Sequence, residues 1–156
     1  MTDISHILVP TDGSDGALHA AELAGNLARS LDAKVTLLYV QDEAHILSDA
    51  WAASNLPVGG ADNSSSVEKV RSSLEKYAHE NELPATAEAL GKLAKEPDAV
   101  VTWGHSSEEI CRYANNHSVD LIVIGSHGRS GLKRAFLGSV SQAVANQASC
   151  PVTLVK

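Results

Sequence analysis

The sequence predicts an α/β protein with a doubly wound, five-stranded parallel sheet and helices on both faces. Five short apolar runs, each typical of a buried strand, recur along the 156 residues. Segments with apolar residues at helical spacing alternate with these runs. Turn-forming glycine, proline and aspartate residues separate the two kinds of segment. Because strand and helix alternate from end to end, we expect one domain covering residues 1–156.

The first half of the chain begins with a βαβ pattern. The apolar run His6–Val9 is predicted to be a strand that ends at Pro10, and Lys34–Val40 is the second strand. Small residues at helical spacing between them predict a helix that ends near Leu31. The segment Gln41–Ser66 has no clear periodicity, and we expect a partly ordered excursion there, with a possible helix over Ala44–Ala53. Trp51 in this excursion is either a lid residue or a local core anchor.

The second half continues the alternation to the end of the chain. Pro84–Lys95 is consistent with a short helix that has Pro84 in its first turn, and also with a strand. Two serines followed three residues later by Glu or Gln, Ser106 and Ser139, predict capping boxes that start helices. The other predicted elements are helices over Val67–Glu80, Ser106–Asn116 and Val140–Ala148, and strands over Ala99–Trp103, Asp120–Ile124 and Val152–Val155.

Charge and composition exclude several classes of partner. The 12 Lys and Arg residues against 19 Asp and Glu residues give a net charge of −7, which argues against a nucleic-acid or anionic-membrane surface. No apolar run approaches the roughly 20 residues of a membrane span, and no signal peptide is visible. Two cysteines do not make a disulfide framework. We therefore expect a protein of the reducing cytoplasm.

The stretch Leu121–Val140 has the pattern of an anion-binding loop. A buried strand is followed by glycines and then by a predicted helix start, so free N–H groups and the positive end of a helix dipole would meet in the loop. Glycines allow either a positive φ or a close approach of the backbone to a ligand. The alternative is that they only shape the βα loop. The glycines are Gly125, Gly128, Gly131 and Gly138, and the cations Arg129, Lys133 and Arg134 lie among them.

The intervals between Gly125, Gly128, Gly138 and Ser139 resemble the adenine-nucleotide signature of the universal stress protein family, G-x2-G-x9-G-[ST]. The stretch Val9–Ser14 resembles the V-P-x-D-x-S with which that family opens. One departure is the absence of the proline that the family places two residues after the glycine at position 104. The resemblance implies the strand order 3-2-1-4-5 and a nucleotide site between the loops that follow strands one and four.

The resemblance also implies a ligand and a set of contacts. The ligand would be ATP, with AMP or ADP as alternatives, with or without Mg²⁺; no metal ligand is assigned. Asp12 would lie near ribose or adenine, and local chemistry alone equally allows an Asx-turn or a helix cap. Ser139 would contact phosphate or merely cap its helix, and His127 would contact phosphate or be an exposed loop residue. The candidate cofactor-binding residues are Pro10, Thr11, Asp12, Val40, Gly125, Ser126, His127, Gly128, Arg129, Gly138, Ser139, Val140 and Ser141.

The leading functional hypothesis is an ATP-binding regulatory protein of the stress response. One alternative is a slow ATPase or adenylyl-transfer enzyme of similar architecture, and another is an interaction protein that binds no nucleotide. A catalyst of phosphoryl transfer needs a base or nucleophile beside a metal-binding carboxylate pair. Asp12 is the one carboxylate that the pattern places in the crevice. We therefore assign no catalytic residue and expect at most slow ATP hydrolysis.

The final apolar run predicts a homodimer. In the order 3-2-1-4-5, strand five lies at an edge of the sheet, and an exposed apolar edge is a template for pairing with another chain. A two-fold axis would pair Val152 and Leu154 with their copies in an antiparallel arrangement, as the resemblance also implies. The alternative is a monomer whose edge is covered by Gln41–Ser66 or by a helix.

Overall fold

The computed structural model describes residues 3–42, 63–128 and 137–156. All pairings in its five-stranded sheet are parallel, and the order is β3-β2-β1-β4-β5. The predicted fold class and strand order are therefore confirmed. The strands are β1 His6–Thr11, β2 Lys34–Gln41, β3 Asp98–Trp103, β4 Leu121–Gly125 and β5 Val152–Val155.

The helices that alternate with these strands are close to the predicted ones. The segment after Pro84 forms a helix rather than a strand, and Pro84 lies in its first turn, where a missing N–H costs nothing. Residues 43–62, including Trp51 and the predicted helix over Ala44–Ala53, lie outside the described residues. The helices are α1 Asp15–Leu31, α2 Asn63–Tyr77, a π-helical turn Ala78–Glu82, α3 Leu83–Leu90, α4 Ser106–Asn116 and α5 Ser139–Gln147. Within the described ranges, none of them has the length and apolarity to cross a bilayer.

Alternate residues of each central strand enter two separate cores. Ile7 and Val9 pack with α1 and α3 on one face of the sheet, whereas Leu8 packs with α4 and α5 on the other. All three side chains are fully buried. Burial of such a side chain contributes about 1.5–3 kcal/mol. The strands are apolar at consecutive positions because both faces of the sheet are covered.

Helices α1 and α3 pack at unusually short range. A Cβ atom on Gly25 would lie 2.0 Å from the carbonyl oxygen of Leu90, so only glycine permits this approach. Arg29 Nη1 donates a hydrogen bond of 2.8 Å to the same carbonyl oxygen. The C-terminal end of α3 is therefore fixed on α1.

The neighbouring strands β1 and β4 separate towards their carboxyl ends. β1 pairs with β2 along its whole length, from His6 to Thr11, but it pairs with β4 only through Ile7 and Leu8. β1 continues through Pro10 to Thr11, two residues beyond its predicted end. The missing N–H of Pro10 lies where β1 and β4 have already separated. A crevice opens at this switch point of the strand order, where doubly wound sheets bind their ligands.

Candidate functional site

A cleft of about 250 Å³ occupies the crevice between β1 and β4. Residues from the ends of β1, β2 and β4 form its floor. The N-terminal turns of α1, α4 and α5 and the loop after β4 form its walls. The lining residues are Pro10, Thr11, Asp12, Ser14, Ala17, Leu38, Val40, Ser106, Ile110, Ile124, Gly125, His127, Gly128, Gly138, Ser139, Val140 and Ser141.

Among the described residues, every predicted site residue lines this cleft except Ser126. Ser126 is buried beneath the loop, where its carbonyl oxygen accepts hydrogen bonds from the Gly138 amide (2.7 Å) and the Ser141 hydroxyl (3.0 Å). Its role is therefore to hold the two ends of the loop together. Arg129, together with Lys133 and Arg134, lies outside the described residues.

The cleft also contains lining residues that the sequence interpretation missed. These are Ser14, Ala17, Leu38, Ser106, Ile110 and Ile124. A usable signal existed for Ser106, because it begins the helix that follows β3 and so belongs to the carboxyl edge of the sheet. The apolar members give no such signal, because their pattern is the same as that of core residues.

Three consecutive side-chain hydrogen bonds shape the loop after β1. The Gly13 amide donates to Thr11 Oγ1 (3.1 Å), the Ser14 amide to Asp12 Oδ1 (3.0 Å), and the Ala17 amide to Ser14 Oγ (3.3 Å). Gly13 has a φ of +75°, a conformation that side chains disfavour. The local alternative for Asp12, an Asx-turn, is thus formed. Its second oxygen, Oδ2, faces the loop after β4.

The glycines of the β4 loop act through close approach rather than through unusual backbone angles. Neither Gly125, Gly128 nor Gly138 is among the described glycines with positive φ. A Cβ atom on Gly128 would lie 2.6 Å from Asp12 Oδ2, and one on Gly125 would lie 2.6 Å from the carbonyl carbon of Gly16. The possibility of positive φ at these three positions is therefore wrong. Gly125 lets β4 pack under the start of α1, and Gly128 leaves room for the Asp12 carboxylate.

Both predicted capping boxes are wrong. The N-cap residues of α4 and α5 are His105 and Gly138, and neither makes a side-chain capping hydrogen bond. Ser106 and Ser139, the predicted caps, instead occupy the first helical position of α4 and α5. The Ser141 hydroxyl instead lies 2.9 Å from the Gly138 carbonyl oxygen. The first-turn N–H groups of α5 thus reach the cleft without a side-chain cap, which favours a bound anion.

His127 supplies a second unsatisfied group beside this helix start. Its Nδ1 lies 3.0 Å from Ser126 Oγ, whereas its Nε2 is buried and has no hydrogen-bond partner in the part of the chain that is described. Leaving a buried polar atom unpaired costs about 1–3 kcal/mol. A polar group entering the cleft would therefore be stabilised by meeting Nε2.

The apolar and polar lining residues are divided between two sides of the cleft. Leu38, Val40 and Ile110 form an apolar wall on the β2 and α4 side. Asp12 and the start of α5 form the polar side. A ligand with a flat apolar part joined to an anionic part matches both walls.

Relatives and solved structures with similar folds are known. Universal stress protein MJ0531 of Methanocaldococcus jannaschii is 35% identical over 154 residues, which cover 96% of this chain and 81% of that protein. The solved structure of MJ0577 from the same organism has a TM-score of 0.77 at 27% identity, and the match covers 99% of this chain and 97% of that one.

Two less similar structures contain nucleotides. A universal stress protein solved in complex with cAMP has a TM-score of 0.61 at 22% identity, and the match covers 99% of this chain and 98% of that one. An Archaeoglobus fulgidus universal stress protein solved with dAMP has a TM-score of 0.56 at 21% identity, covering 99% and 100% of the two chains. At these identities the likeness shows the fold alone.

A family profile covers nearly the whole chain. Residues 4–156 match the profile described as the universal stress protein family. The sequence relationship to MJ0531 covers 96% of the chain. This protein therefore belongs to the universal stress protein family.

Proposed function

We propose that this protein binds an adenine nucleotide in the cleft between β1 and β4 and acts as a nucleotide-responsive regulator in a stress response. One observation carries the proposal: an apolar wall faces a helix start whose N-cap residue, Gly138, makes no side-chain capping hydrogen bond. The apolar wall suits a base, and the helix start suits phosphate. ATP is the proposed ligand, with AMP and ADP as alternatives.

The residues have separate roles in this proposal. The backbone of Val40 meets the adenine edge, Asp12 accepts hydrogen bonds from ribose hydroxyls, and the amides of Ser139 and Val140 bind phosphate. The buried Nε2 of His127 supports an additional polar contact, since it lacks a partner among the described residues. The cAMP and dAMP complexes of more distant family members are consistent with an adenine-nucleotide ligand.

Magnesium has a weaker basis than the nucleotide itself. The described residues contain no group of three His, Cys, Asp or Glu side chains suited to a metal ion. Mg²⁺ prefers oxygen ligands and usually binds proteins through one or two carboxylates together with substrate phosphates. Because Asp12 lies at the ribose in this proposal, no protein ligand is assigned to Mg²⁺.

Calorimetry tests the proposal directly. ATP is titrated into the purified protein with Mg²⁺ and with a chelator, and GTP is the matched control. We expect ATP to bind more tightly than GTP, because a backbone edge at Val40 distinguishes the two bases. The absence of heat with ATP at millimolar concentrations under both conditions would overturn the proposal. Native mass spectrometry of the purified protein adds a search for retained adenine nucleotide.

Phosphate release distinguishes a regulator from an enzyme. A regulator holds nucleotide with slow turnover or none, whereas a typical enzyme turns over at ~10 per second. A rate of that size, abolished by substitutions in the cleft, would replace the regulatory proposal by the ATPase alternative.

The edge strand β5 supports a homodimer as part of the proposal. In the described part of the chain, β5 pairs only with β4, and Val152 and Leu154 are half-buried. Pairing of β5 with its copy would cover this edge. Light scattering should give about twice the 16.4 kDa chain mass, and Leu154→Lys should shift the protein towards monomer. A monomeric wild type, or a variant dimer as tight as the wild type, would exclude this interface.

A further inference from the structure

We propose that Thr86, which lies on α3 and does not line the cleft, is a positioning residue for the nucleotide site. Its hydroxyl fixes Thr11, and Thr11 fixes the turn that places Asp12 in the cleft. This inference rests on the proposed function and adds to it a residue that determines affinity without touching the ligand.

A buried hydrogen bond connects the two threonines. Thr86 Oγ1 lies 2.8 Å from Thr11 Oγ1, although 75 positions separate them in the chain. Thr86 is completely buried and Thr11 is 7% exposed. A buried hydroxyl without a partner is costly. Because both side chains are buried, each threonine restricts the orientation of the other.

Thr11 transmits this restriction to the turn. A hydroxyl has one hydrogen to donate and two lone pairs that accept. Thr11 Oγ1 accepts from the Gly13 amide at 3.1 Å, and its contact with Thr86 uses either its hydrogen or its second lone pair. Asp12 is the residue enclosed by this hydrogen-bonded turn. Its carboxylate is therefore oriented from both sides, by the Thr11–Gly13 bond and by the bond from the Ser14 amide.

Helix α3 is anchored well enough to act as a support. The carbonyl oxygen of Leu90, one turn after Thr86, faces Gly25 at a distance that excludes any side chain there and accepts a hydrogen bond from Arg29. Leu83 and Leu90, which flank Thr86 on the same helix, are also buried. The backbone of α3 is thus fixed on both sides of Thr86. The Thr86 hydroxyl therefore has a fixed position from which it contacts Thr11.

Thr36 provides a matched control. It is completely buried like Thr86, and its Oγ1 also makes one side-chain hydrogen bond of 2.8 Å, to His6 Nε2. Thr36 does not line the cleft. Thr86→Val and Thr36→Val therefore remove the same group from equally buried positions, and only the first lies next to the Asp12 turn.

The experiment measures ATP affinity and folding stability for the wild type, Thr86→Val, Thr86→Ser and Thr36→Val. We expect Thr86→Val to weaken ATP binding about fivefold, the equivalent of one typical net hydrogen bond. Thr86→Ser retains the hydroxyl and should bind ATP within about twofold of the wild type. Thr36→Val should lose stability to a similar extent as Thr86→Val but bind ATP as the wild type does.

Amide hydrogen exchange of the ligand-free proteins tests whether Thr86 supports the turn, independently of whether the turn affects ATP affinity. The Gly13 amide should exchange faster in Thr86→Val than in Thr36→Val, because its acceptor is no longer held. Wild-type affinity in a folded Thr86→Val protein, or equal losses of affinity in both valine variants, would overturn the positioning role. Failure of the wild type to bind ATP would instead overturn the proposed function. If the wild type does not bind ATP and the Gly13 amide exchanges equally fast in Thr86→Val and Thr36→Val, the claim that Thr86 supports the turn would be overturned as well.

Discussion

The two ends of the parallel sheet use similar polar groups in opposite ways. At the amino end, Asp120 Oδ2 accepts hydrogen bonds from the Ser5 amide (2.9 Å), the Ser5 hydroxyl (2.8 Å) and the His6 amide (2.9 Å). His6 Nδ1 lies 3.1 Å from the His117 carbonyl oxygen and therefore carries the hydrogen, so Nε2 accepts from the Thr36 hydroxyl. The polar groups of this network are satisfied by each other.

At the carboxyl end one buried side-chain nitrogen is left without a partner among the described residues. α5 begins without a side-chain cap, and Nε2 of His127 is buried without a partner in the described residues. The polar groups at the amino end are thus paired with one another, whereas the carboxyl end has an unpaired nitrogen at the proposed ligand site. The comparison teaches that an imidazole points to a ligand site by its missing partner, not by its presence. Substitutions at the two ends should consequently separate stability from binding.

The largest effect is expected for Gly125→Ala. The new methyl group would collide with the backbone of Gly16 at the start of α1, and backbone cannot move aside as a flexible side chain can. We expect a loss of about 2–3 kcal/mol in the free energy of unfolding, typical of an overpacked site, together with a distorted cleft. Denaturant titration measures the loss. A variant within about 0.5 kcal/mol of the wild type would contradict the close approach.

Gly128→Ala should affect binding more than stability. Its methyl group would meet the Asp12 carboxylate, which is able to rotate away, so the fold accommodates it. The displaced carboxylate would lose its place near the ligand, and we expect roughly tenfold weaker ATP binding, equal to about 1.4 kcal/mol. Calorimetry on the folded variant checks this. Unchanged affinity would mean that Gly128 only shapes the loop.

Asp120→Asn should affect stability and leave binding unchanged. Hydrogen bonds from Ser5, and then from the His6 amide, hold the pKa of the Asp120 carboxyl below its ordinary 3.8. A lowered pKa contributes stability above that ordinary value, and the contribution is lost as the pH falls through the native pKa. We expect a loss of about 1 kcal/mol at neutral pH that disappears in strong acid.

Denaturant titrations of Asp120→Asn and the wild type at both pH values provide the measurement. ATP affinity serves as the control, because Asp120 lies at the opposite end of the sheet from the cleft. A variant that matches the stability of the wild type at neutral pH would contradict the stabilising role of the Asp120 hydrogen bonds. A variant that loses ATP affinity would show that the two ends are not independent.

The smallest effect is the pH dependence contributed by His6. Burial lowers the pKa of His6 below its ordinary 6.5. The unfolded chain therefore binds a proton more readily than the native protein, and stability falls as the pH drops from the ordinary value towards the native one. Lys34, Asp98 and Asp120 are the charged groups acting on this ring. His6→Gln should flatten the slope of stability as the pH falls below 6.5. An unchanged slope would contradict a buried neutral imidazole.

The local pattern of the chain was sufficient for the fold class and for one of the loops that line the cleft. Consecutive apolar residues predicted β4 and β5 correctly, because burial on both faces of a sheet is expressed directly in short apolar runs. The glycine intervals pointed to the loop that lines the crevice. The strand order depended on the resemblance to the family, since spacing along one chain does not specify which strands are neighbours.

The tertiary structure decided what the individual loop residues do. Gly128 is small because Asp12 lies against it, and Thr86 is polar because Thr11 meets it. The start of α5 is set by Gly138, whose amide donates to the Ser126 carbonyl oxygen, so the predicted cap at Ser139 does not form. Each of these contacts joins residues that are distant in sequence. Periodicity reports whether a side chain is buried, but it contains no information on which distant group that side chain meets.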